Sequence, residues 1–231
     1  MAEVSTVLLD RRVYLLSDVD RFLGLRAGTG KRWIDGYDRG GRSYDPVVRP
    51  QRTGDDSVTW GEFIEASLLS AYRDAGVTLQ RLRPAVQRLR EEFGTPYPLA
   101  AAKPFLEVQG RELVMQVQDD VDLPRPLAMV VVRSGQLQLA DRVQDFVDRV
   151  EYDADMSFAR RLRVVKDGAV CIDPIRAGGR PALRAVPTEV LAEGYRAGES
   201  IASLSELYEL PAGDVEQALR YEMIRAVGQS A

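Results

Sequence analysis

The sequence has 231 residues, of which 45% are hydrophobic and 29% charged, with a formal net charge of −4. These values are typical of a globular chain and exclude extensive disorder or a protein that coats nucleic acid along its whole length. With no histidine and a single cysteine, the chain lacks the residues for histidine-based catalysis, a Cys/His zinc site or an internal disulfide.

The charge is unevenly distributed along the chain. Residues 24–52 hold seven basic and three acidic side chains, whereas residues 185–231 hold three basic and eight acidic ones. A basic N-terminal module and an acidic C-terminal module imply different partners. No apolar run approaches the ~20 residues that span a bilayer, and the first residues do not form a signal-peptide pattern. We therefore predict a cytoplasmic protein without membrane contact.

The first predicted elements are two short helices. Ser17 is placed to cap the first, with Asp20 three residues later as a capping-box partner. The apolar residues that follow recur at helical spacing. Gly24 ends this helix, and a second helix would direct Trp33 and Ile34 inward. The pattern favours a helix-turn-helix.

The outward side chains of the second helix are hydrogen-bond donors suited to DNA: Arg26, Thr29, Lys31 and Arg32. The alternative for a basic helix is a solvated face with no ligand. Gly28 and Gly30 each cost about 1 kcal/mol relative to alanine inside a helix. We therefore expect this helix to be frayed without DNA and to order on it.

The tetrapeptide at residues 28–31, Gly-Thr-Gly-Lys, also suggests a nucleotide phosphate loop. That motif requires a glycine at the position of Leu25 and a serine or threonine at the position of Arg32. It also requires an upstream buried strand, where this chain has a helical pattern. A nucleotide-hydrolysing enzyme is therefore disfavoured.

A glycine- and arginine-rich stretch comes next. Two β-type runs, near Pro46–Arg49 and Ser57–Trp60, flank a Thr-Gly-Asp-Asp turn and predict a small hairpin or wing. Arginines within the stretch could approach a DNA backbone: Arg39, Arg42, Arg49 and Arg52.

Two longer helices follow. Thr59 is placed to cap the first, which Gly76 would end. Thr78 begins the second, which has an apolar stripe of period near 3.5 suited to packing against another helix. Pro84 lies near its start and should kink the helix or delay its beginning.

Residues 99–170 are predicted to contain strands. The runs PFLEVQ and ELVMQVQ are strand-like, Ser134-Gly135 is a candidate hairpin turn, and Asp167-Gly168 is another. An amphipathic helix is expected between the two hairpins. Cys171 then lies in an apolar run, where a buried structural thiol is the favoured interpretation. Three short helices are expected over the remaining residues.

Two groups of carboxylates are candidate metal ligands: Asp119, Asp120 and Asp122, and Asp153 with Asp155. Neither has EF-hand spacing, and clustered loop carboxylates are usually only solvated. We predict no metal, no cofactor and no catalytic site.

Arginines four residues apart mark the segment after Cys171: Arg176, Arg180 and Arg184. Gly178-Gly179 permits a sharp turn among them. The segment is either a rigid crossover into the last helices or a contact loop for a partner.

Two resemblances add to these patterns. The stretch YLLSDVDRFLGLRAGTGKRWIDGY, with the later AYRDAGVTLQRLRPAVQRLR, resembles the winged-helix head of MerR-type regulators. This resemblance implies DNA contacts by Arg26, Thr29, Lys31 and Arg32, and wing contacts by Arg39 and Arg42. The stretch DPIRAGGRPALRAVPTEVLAEGYRAGES, continued by the last helices, resembles a small three-helix domain found in antitoxins encoded beside PIN-type ribonuclease toxins.

The combination is similar to the large VapB-type antitoxins. It implies an α+β protein with a winged helix-turn-helix at residues 1–98, a β-containing segment at 99–170 and a three-helix domain at 171–231. The implied function is a homodimeric, non-enzymatic antitoxin that represses its own operon at an operator DNA. It would also bind a PIN-like ribonuclease toxin, with Arg176, Arg180 and Arg184 as candidate contacts. The alternative is an effector-sensing regulator without a toxin, whose middle strands form a ligand pocket.

Overall fold

The fold is described by a computed structural model covering residues 7–73, 75–153 and 157–230, with side chains through residue 226. Helices account for 49% and strands for 17% of the chain. This confirms the predicted α+β class.

The N-terminal part combines small antiparallel sheets with short helices. Strand β1 (Arg12–Leu15) pairs with β4 (Ser57–Thr59), and β2 (Tyr37–Arg39) pairs with β3 (Arg42–Tyr44). Between β1 and β2 lie the two predicted helices, α1 (Leu16–Phe22) and α2 (Thr29–Ile34).

The predicted wing was placed at the wrong residues. Ser57–Thr59 pairs with β1 rather than with residues 46–49, which form no strand. Pro46 and Pro50 have no N–H to donate to a strand ladder. The hairpin lies nearer to α2, at residues 37–44, and turns at Gly40-Gly41.

Helix α3 (Trp60–Ser70) lies at the centre of the fold. Thr59 caps it as predicted, and Glu62 completes the capping box. The helix ends at Ser70, six residues before the predicted end at Gly76. Every residue from Trp60 to Leu69 is buried, because other elements pack on all of its faces. Such all-round burial identifies a core helix.

Pro84 was predicted either to kink the next helix or to delay its beginning, and the structure shows the delay. Leu79–Leu82 forms a 3₁₀ turn capped by Thr78, and α4 (Arg83–Phe93) then begins with the proline in its first turn. A proline there loses no intrahelical hydrogen bond, since the first N–H groups of a helix have no partner.

The first two predicted strands of the middle segment are wrong. PFLEVQ and ELVMQVQ form helices α5 (Lys103–Leu106) and α6 (Val108–Asp120). The buried residues of α6 are Gly110, Val114, Val117 and Gln118, a spacing of four, three and one. This is one face of a helix, whereas the alternation seen over a short window suggested a strand.

The two hairpins predicted around Ser134-Gly135 and Asp167-Gly168 are confirmed. β5 (Val130–Arg133) and β6 (Gln136–Leu139) pair across Ser134-Gly135. After α7 (Asp141–Val147), five antiparallel strands form one sheet in sequence order: β7 (Val150–Tyr152), β8 (Ala159–Arg163), β9 (Cys171–Ile172), β10 (Ala182–Leu183) and β11 (Val186–Pro187). Strands β8 and β9 flank the turn at Asp167-Gly168.

The three C-terminal helices are confirmed as α8 (Thr188–Arg196), α9 (Ile201–Leu207) and α10 (Ala212–Ser230). One hydrophobic cluster runs from Leu9 to Ile172, and a second, from Val170 to Leu219, lies beneath these helices. Residues on both sides of position 98 therefore share a core; the predicted domain boundaries stay a prediction. Within the described ranges, no helix is long and apolar enough to cross a membrane.

Candidate nucleic-acid interface

A buried carboxylate of α1 holds the start of α2. Asp20 accepts the backbone N–H of Gly28 at Oδ2 and that of Gly30 at Oδ1, both at 2.6 Å. A negative charge here also complements the dipole at the start of a helix. Asp20 was predicted to help cap α1, but that role belongs to Asp18, whose carboxylate accepts the Leu15 N–H. The second helix is thus tied to the first.

The two glycines of this region let α1 and α2 approach closely. Gly28 precedes α2 in the left-handed region, at φ 77°, which favours glycine. Gly30 lies in the first turn, where an added Cβ would be 3.2 Å from Leu16 O, from Val19 Cβ and from Asp20 Oδ1. Gly28 lies outside α2, so the cost assigned to it inside a helix does not apply, and Gly30 lies in the first turn rather than in the helix interior. The fraying of α2 without DNA stays a prediction.

The predicted donors of α2 lie on its accessible side. Arg26, Lys31 and Arg32 are exposed and Thr29 is half-buried. The Arg32 guanidinium donates to Gly28 O at 3.1 Å and to Thr29 Oγ1 at 3.2 Å. Arg26 and Lys31 make no ion pair within the described ranges. Arg26, predicted on the second helix, lies in the turn before α2. The helix itself carries Lys31, which no described carboxylate pairs, and Arg32, which is folded onto the helix backbone.

The hairpin after α2 carries two further cations at its tip. Arg39 and Arg42 are exposed and directly opposite each other across the ladder. Like charges in this position destabilise a hairpin, and no described carboxylate forms an ion pair with either. Gly40 and Gly41, at φ 59° and 73°, provide the tight turn, and an added Cβ on either would meet open space. The tip can thus approach a phosphate backbone.

The hairpin is braced at its base. The rings of Tyr37 and Tyr44 stack at 4.7 Å between centroids. Arg52 donates to Asp38 Oδ2 at 2.9 Å and to Tyr44 O at 3.0 Å. Arg52 was predicted to approach DNA. In the structure its guanidinium instead donates hydrogen bonds to the two strands of the hairpin.

Arg49 was also grouped with the DNA-facing arginines, and the structure buries it instead. Its guanidinium forms ion pairs with Glu62 at 2.7 Å and with Asp35 at 3.1 Å, and also donates to the carbonyls of Asp55 and Ser57. Burial of a cation is tolerated when it is paired and hydrogen-bonded in this way. Arg49 therefore joins the end of α2, the following loop and the start of α3.

Asp35, directly after α2, is the acceptor at the centre of this network. Burial acts to raise the pKa of its carboxyl, but hydrogen bonds from Thr53, Gly54 and Arg49 outweigh it and hold the pKa below its usual value. The carboxylate accepts the N–H groups of both Thr53 and Gly54. These bonds hold the loop at residues 53–54 against the end of α2. The sequence had predicted this loop to be the tip of a wing.

These supporting carboxylates were missed by sequence reasoning. Asp20, Asp35 and Glu62 are separated in sequence from the groups they hold, by eight to nineteen residues. Only the capping-box spacing of Glu62 after Thr59 was a readable signal, and it does not indicate the partner Arg49.

The three arginines after Cys171 lie around one small cavity of about 170 Å³. Arg176 lies 3.8 Å from Asp173, Arg180 hydrogen-bonds Glu189, and Arg184 donates to Glu209 O at 3.3 Å. Arg176 and Arg184 are exposed. The structure therefore gathers the three candidates at one place, on the sheet edge that leads into α8.

Cys171 lies on the wall of the same cavity and is half-buried. Burial raises the pKa of its thiol above the usual value, which disfavours the reactive thiolate. Within the described part of the chain, no three Cys, Asp or Glu residues gather closely enough to hold a metal ion.

Comparison with known proteins finds a matching domain family and two similar full-length proteins. Residues 12–86 match a family described as "Putative DNA-binding HTH domain". The chain is 36% identical to "Uncharacterized protein Rv2308" of Mycobacterium tuberculosis, over 94% of this chain and 92% of that protein. It is 26% identical to "Putative antitoxin VapB45" of the same organism, over 91% of this chain and 93% of that protein.

The fold is similar to a crystal structure of Rv2018, also from Mycobacterium tuberculosis. The TM-score is 0.74 at 25% sequence identity, over 91% of this chain and 99% of that one. The matched segment at residues 12–86 runs from β1 to the middle of α4 and contains α1, α2 and the hairpin. The N-terminal third of the chain is thus a helix-turn-helix DNA-binding domain.

Proposed function

We propose that this chain, which belongs to the same family as the uncharacterized protein Rv2308, is a DNA-binding antitoxin of a toxin–antitoxin operon. In this proposal a homodimer binds operator DNA and represses its own operon. The remaining surface binds and blocks a PIN-type ribonuclease toxin. The chain itself performs no catalysis.

The observation that carries the DNA-binding arm is the pair Arg39 and Arg42 at the hairpin tip. Two opposed, unpaired arginines weaken an isolated hairpin, and an anion between them would remove that repulsion. They follow α2 directly, so one module presents a helix for base contacts and a hairpin for phosphate contacts. This is the division of roles found in DNA-binding proteins.

Lys31 on α2 and Arg26 in the turn before it are exposed and form no ion pair with a described carboxylate. Arg32 must leave Gly28 O and Thr29 Oγ1 before it can reach a base. We therefore expect Arg32 to contribute to specificity and Arg26 and Lys31 to contribute mainly to salt-dependent affinity. The MerR-like arrangement of these contacts is part of the proposal.

The DNA arm is tested with a fluorescent duplex taken from the region upstream of the gene. Arg32→Ala should weaken its binding by about 1–3 kcal/mol if the side chain reads a base, and should reduce discrimination against a shuffled duplex. Arg196→Ala is the matched control, since Arg196 is an exposed arginine on α8, outside the DNA-binding domain. Equal binding by the Arg32→Ala variant and the control would remove Arg32 from the interface.

The toxin arm is supported by similarity to a relative named as an antitoxin and by the arginines around the 170 Å³ cavity. The metal site of a PIN-type ribonuclease is acidic and would attract such cations. Arg184 has a φ of 55°, so Arg184→Gly removes the cation and relieves a left-handed backbone at once.

The test is co-expression of the full chain with the product of the neighbouring gene, followed by a pull-down and size-exclusion chromatography with light scattering. We expect a stable complex that is weakened by Arg176→Ala and Arg184→Gly but not by Arg196→Ala. A neighbouring gene that encodes no ribonuclease, or a product that does not bind, would contradict the toxin arm and leave the DNA arm standing.

A further inference from the structure

A large cavity lies between the DNA-binding domain and the C-terminal helices. It has a volume of about 680 Å³, within the range of small-molecule sites, which occur preferentially between domains. One wall is the turn after α1, at Phe22, Leu23 and Gly24. The opposite walls are strands β8 and β9 with their connecting loop, and the last helix at residues 217–225.

The interior of this cleft is largely apolar. Leu162, Val164, Val170 and Ile172 form one side, and Val165 and Ile224 extend it to the rim. The last two are 62% and 75% exposed. Single exposed apolar side chains are normal on a protein surface. Exposed apolar side chains that are grouped around a cavity, as here, indicate a binding site.

The charged residues of the cleft have one predominant sign. Five are cationic, namely Arg73, Arg149, Lys166, Arg220 and Arg225, and one is acidic, Asp167. Three of the cations pair with carboxylates outside the lining: Lys166 with Asp148, Arg220 with Glu216 and Arg225 with Glu222. The charge of these three side chains is therefore already balanced by the protein.

Arg149 is half-buried and differs from the buried Arg49 in its partners. Its guanidinium donates to two backbone carbonyls, Asp145 O at 3.3 Å and Val164 O at 3.2 Å, and forms no ion pair in the described ranges. Arg49, by contrast, has two carboxylates. Burial lowers the pKa of Arg149, opposed by the charge of Asp145. A half-buried guanidinium that borders an apolar cleft and has no carboxylate partner in the described ranges is available to pair with an anionic ligand.

We propose that this cleft binds a small amphipathic anion, an acyl-type carboxylate whose head group pairs with Arg149 and whose apolar tail lies along Leu162, Val164 and Val170. Charge complementarity at Arg149 and the apolar wall together select this class over a neutral lipid or a cationic amphiphile. The site is separate from the DNA-facing surface and does not depend on the proposed antitoxin function.

The test uses decanoate as the probe, with decanol and decyltrimethylammonium as chain-matched neutral and cationic controls. Isothermal titration calorimetry on the full chain should show saturable binding of decanoate, with at least about tenfold weaker binding of either control. Arg149→Gln should reduce decanoate affinity by a similar factor. Arg160→Gln is the matched control, because Arg160 is exposed on β8 outside the cleft.

A second variant keeps the test decisive if Arg149→Gln does not fold. Val165→Trp changes an exposed position at the rim and should obstruct the cleft without altering charge, so decanoate binding should weaken while thermal unfolding is unchanged. The proposal is overturned if decanoate does not bind, if the three amphiphiles bind alike, or if binding is insensitive to the variants at positions 149 and 165.

Discussion

The substitution Gly30→Ala in α2 distinguishes the stability change expected from the sequence from the one expected from the structure. The sequence alone predicts that Gly30 destabilises the helix, so that alanine should stabilise the chain by about 1 kcal/mol. The structure gives the opposite expectation. An alanine Cβ would lie 3.2 Å from Leu16 O, Val19 Cβ and Asp20 Oδ1, which is closer than ordinary van der Waals contact.

All three of these atoms belong to α1, and two of them are fixed to its backbone. The helices α1 and α2 must therefore separate by a few tenths of an ångström. Overpacking of this kind costs about 1–3 kcal/mol, which exceeds the gain in helix propensity. We expect Gly30→Ala to lower the free energy of unfolding by about 1 kcal/mol. It should also weaken DNA binding, because α2 shifts and the bond from Gly30 N–H to Asp20 is strained.

Gly213→Ala is the matched control. Gly213 lies in the first turn of α10, and an added Cβ there meets nothing within 4 Å. That substitution should stabilise the chain by up to about 1 kcal/mol and leave DNA binding unchanged. The assay is urea denaturation at equilibrium, followed by fluorescence anisotropy with the upstream duplex. If Gly30→Ala stabilises as much as Gly213→Ala does, the close approach of α1 and α2 is refuted.

Three further substitutions test the supports of the site and the core. Asp20→Ala leaves the N–H groups of Gly28 and Gly30 without their acceptor and should cost about 2–4 kcal/mol in urea denaturation; an unchanged midpoint would contradict the capping role. Arg49→Leu leaves Asp35 and Glu62 as buried carboxylates without a cation and should lower the free energy of unfolding by about 3–5 kcal/mol. The control Arg88→Leu removes an exposed ion pair on α4 and should lower it by less than about 1 kcal/mol. Burial raises the pKa of Glu65 to about 8, so the folded chain keeps a proton that the unfolded chain releases above about pH 4.5. Stability should therefore fall, by up to about 1.4 kcal/mol per pH unit, as pH rises from about 4.5 to 8. Glu65→Gln should abolish this pH dependence. If the variant keeps the same slope, a group other than Glu65 causes it, and the protonated state assigned to Glu65 is refuted.

Local patterns predicted the elements whose signals lie within a few residues. Thr59 before an apolar helical pattern, Pro84 near a helix start and Ser134-Gly135 between apolar runs each specify backbone geometry through their own chemistry. The three C-terminal helices were predictable for the same reason, because breaks and apolar spacing repeat at short range.

The errors came where partners are distant in sequence. The wing was misplaced because Ser57–Thr59 pairs with β1, more than forty residues earlier, and because Asp35 fixes the loop that was taken for its tip. Two middle strands proved to be helices, since a short alternation cannot reveal which face packs on the core. The resemblance to MerR-type regulators implied wing contacts by Arg39 and Arg42, but the sequence did not place them at one hairpin tip. The burial of Arg49 could not be predicted either, because it depends on carboxylates from two other elements.

The measurement that tests the central claim most directly is the salt dependence of DNA binding by the Arg39→Ala/Arg42→Ala variant. Binding to the upstream duplex is compared with that of the unaltered chain and of Arg196→Ala across a series of salt concentrations. If the hairpin tip contacts two phosphates, the slope of log K against log salt should be smaller in magnitude by about two, and affinity should fall for specific and shuffled duplexes alike. A slope equal to that of the unaltered chain would contradict a DNA interface built on α2 and this hairpin.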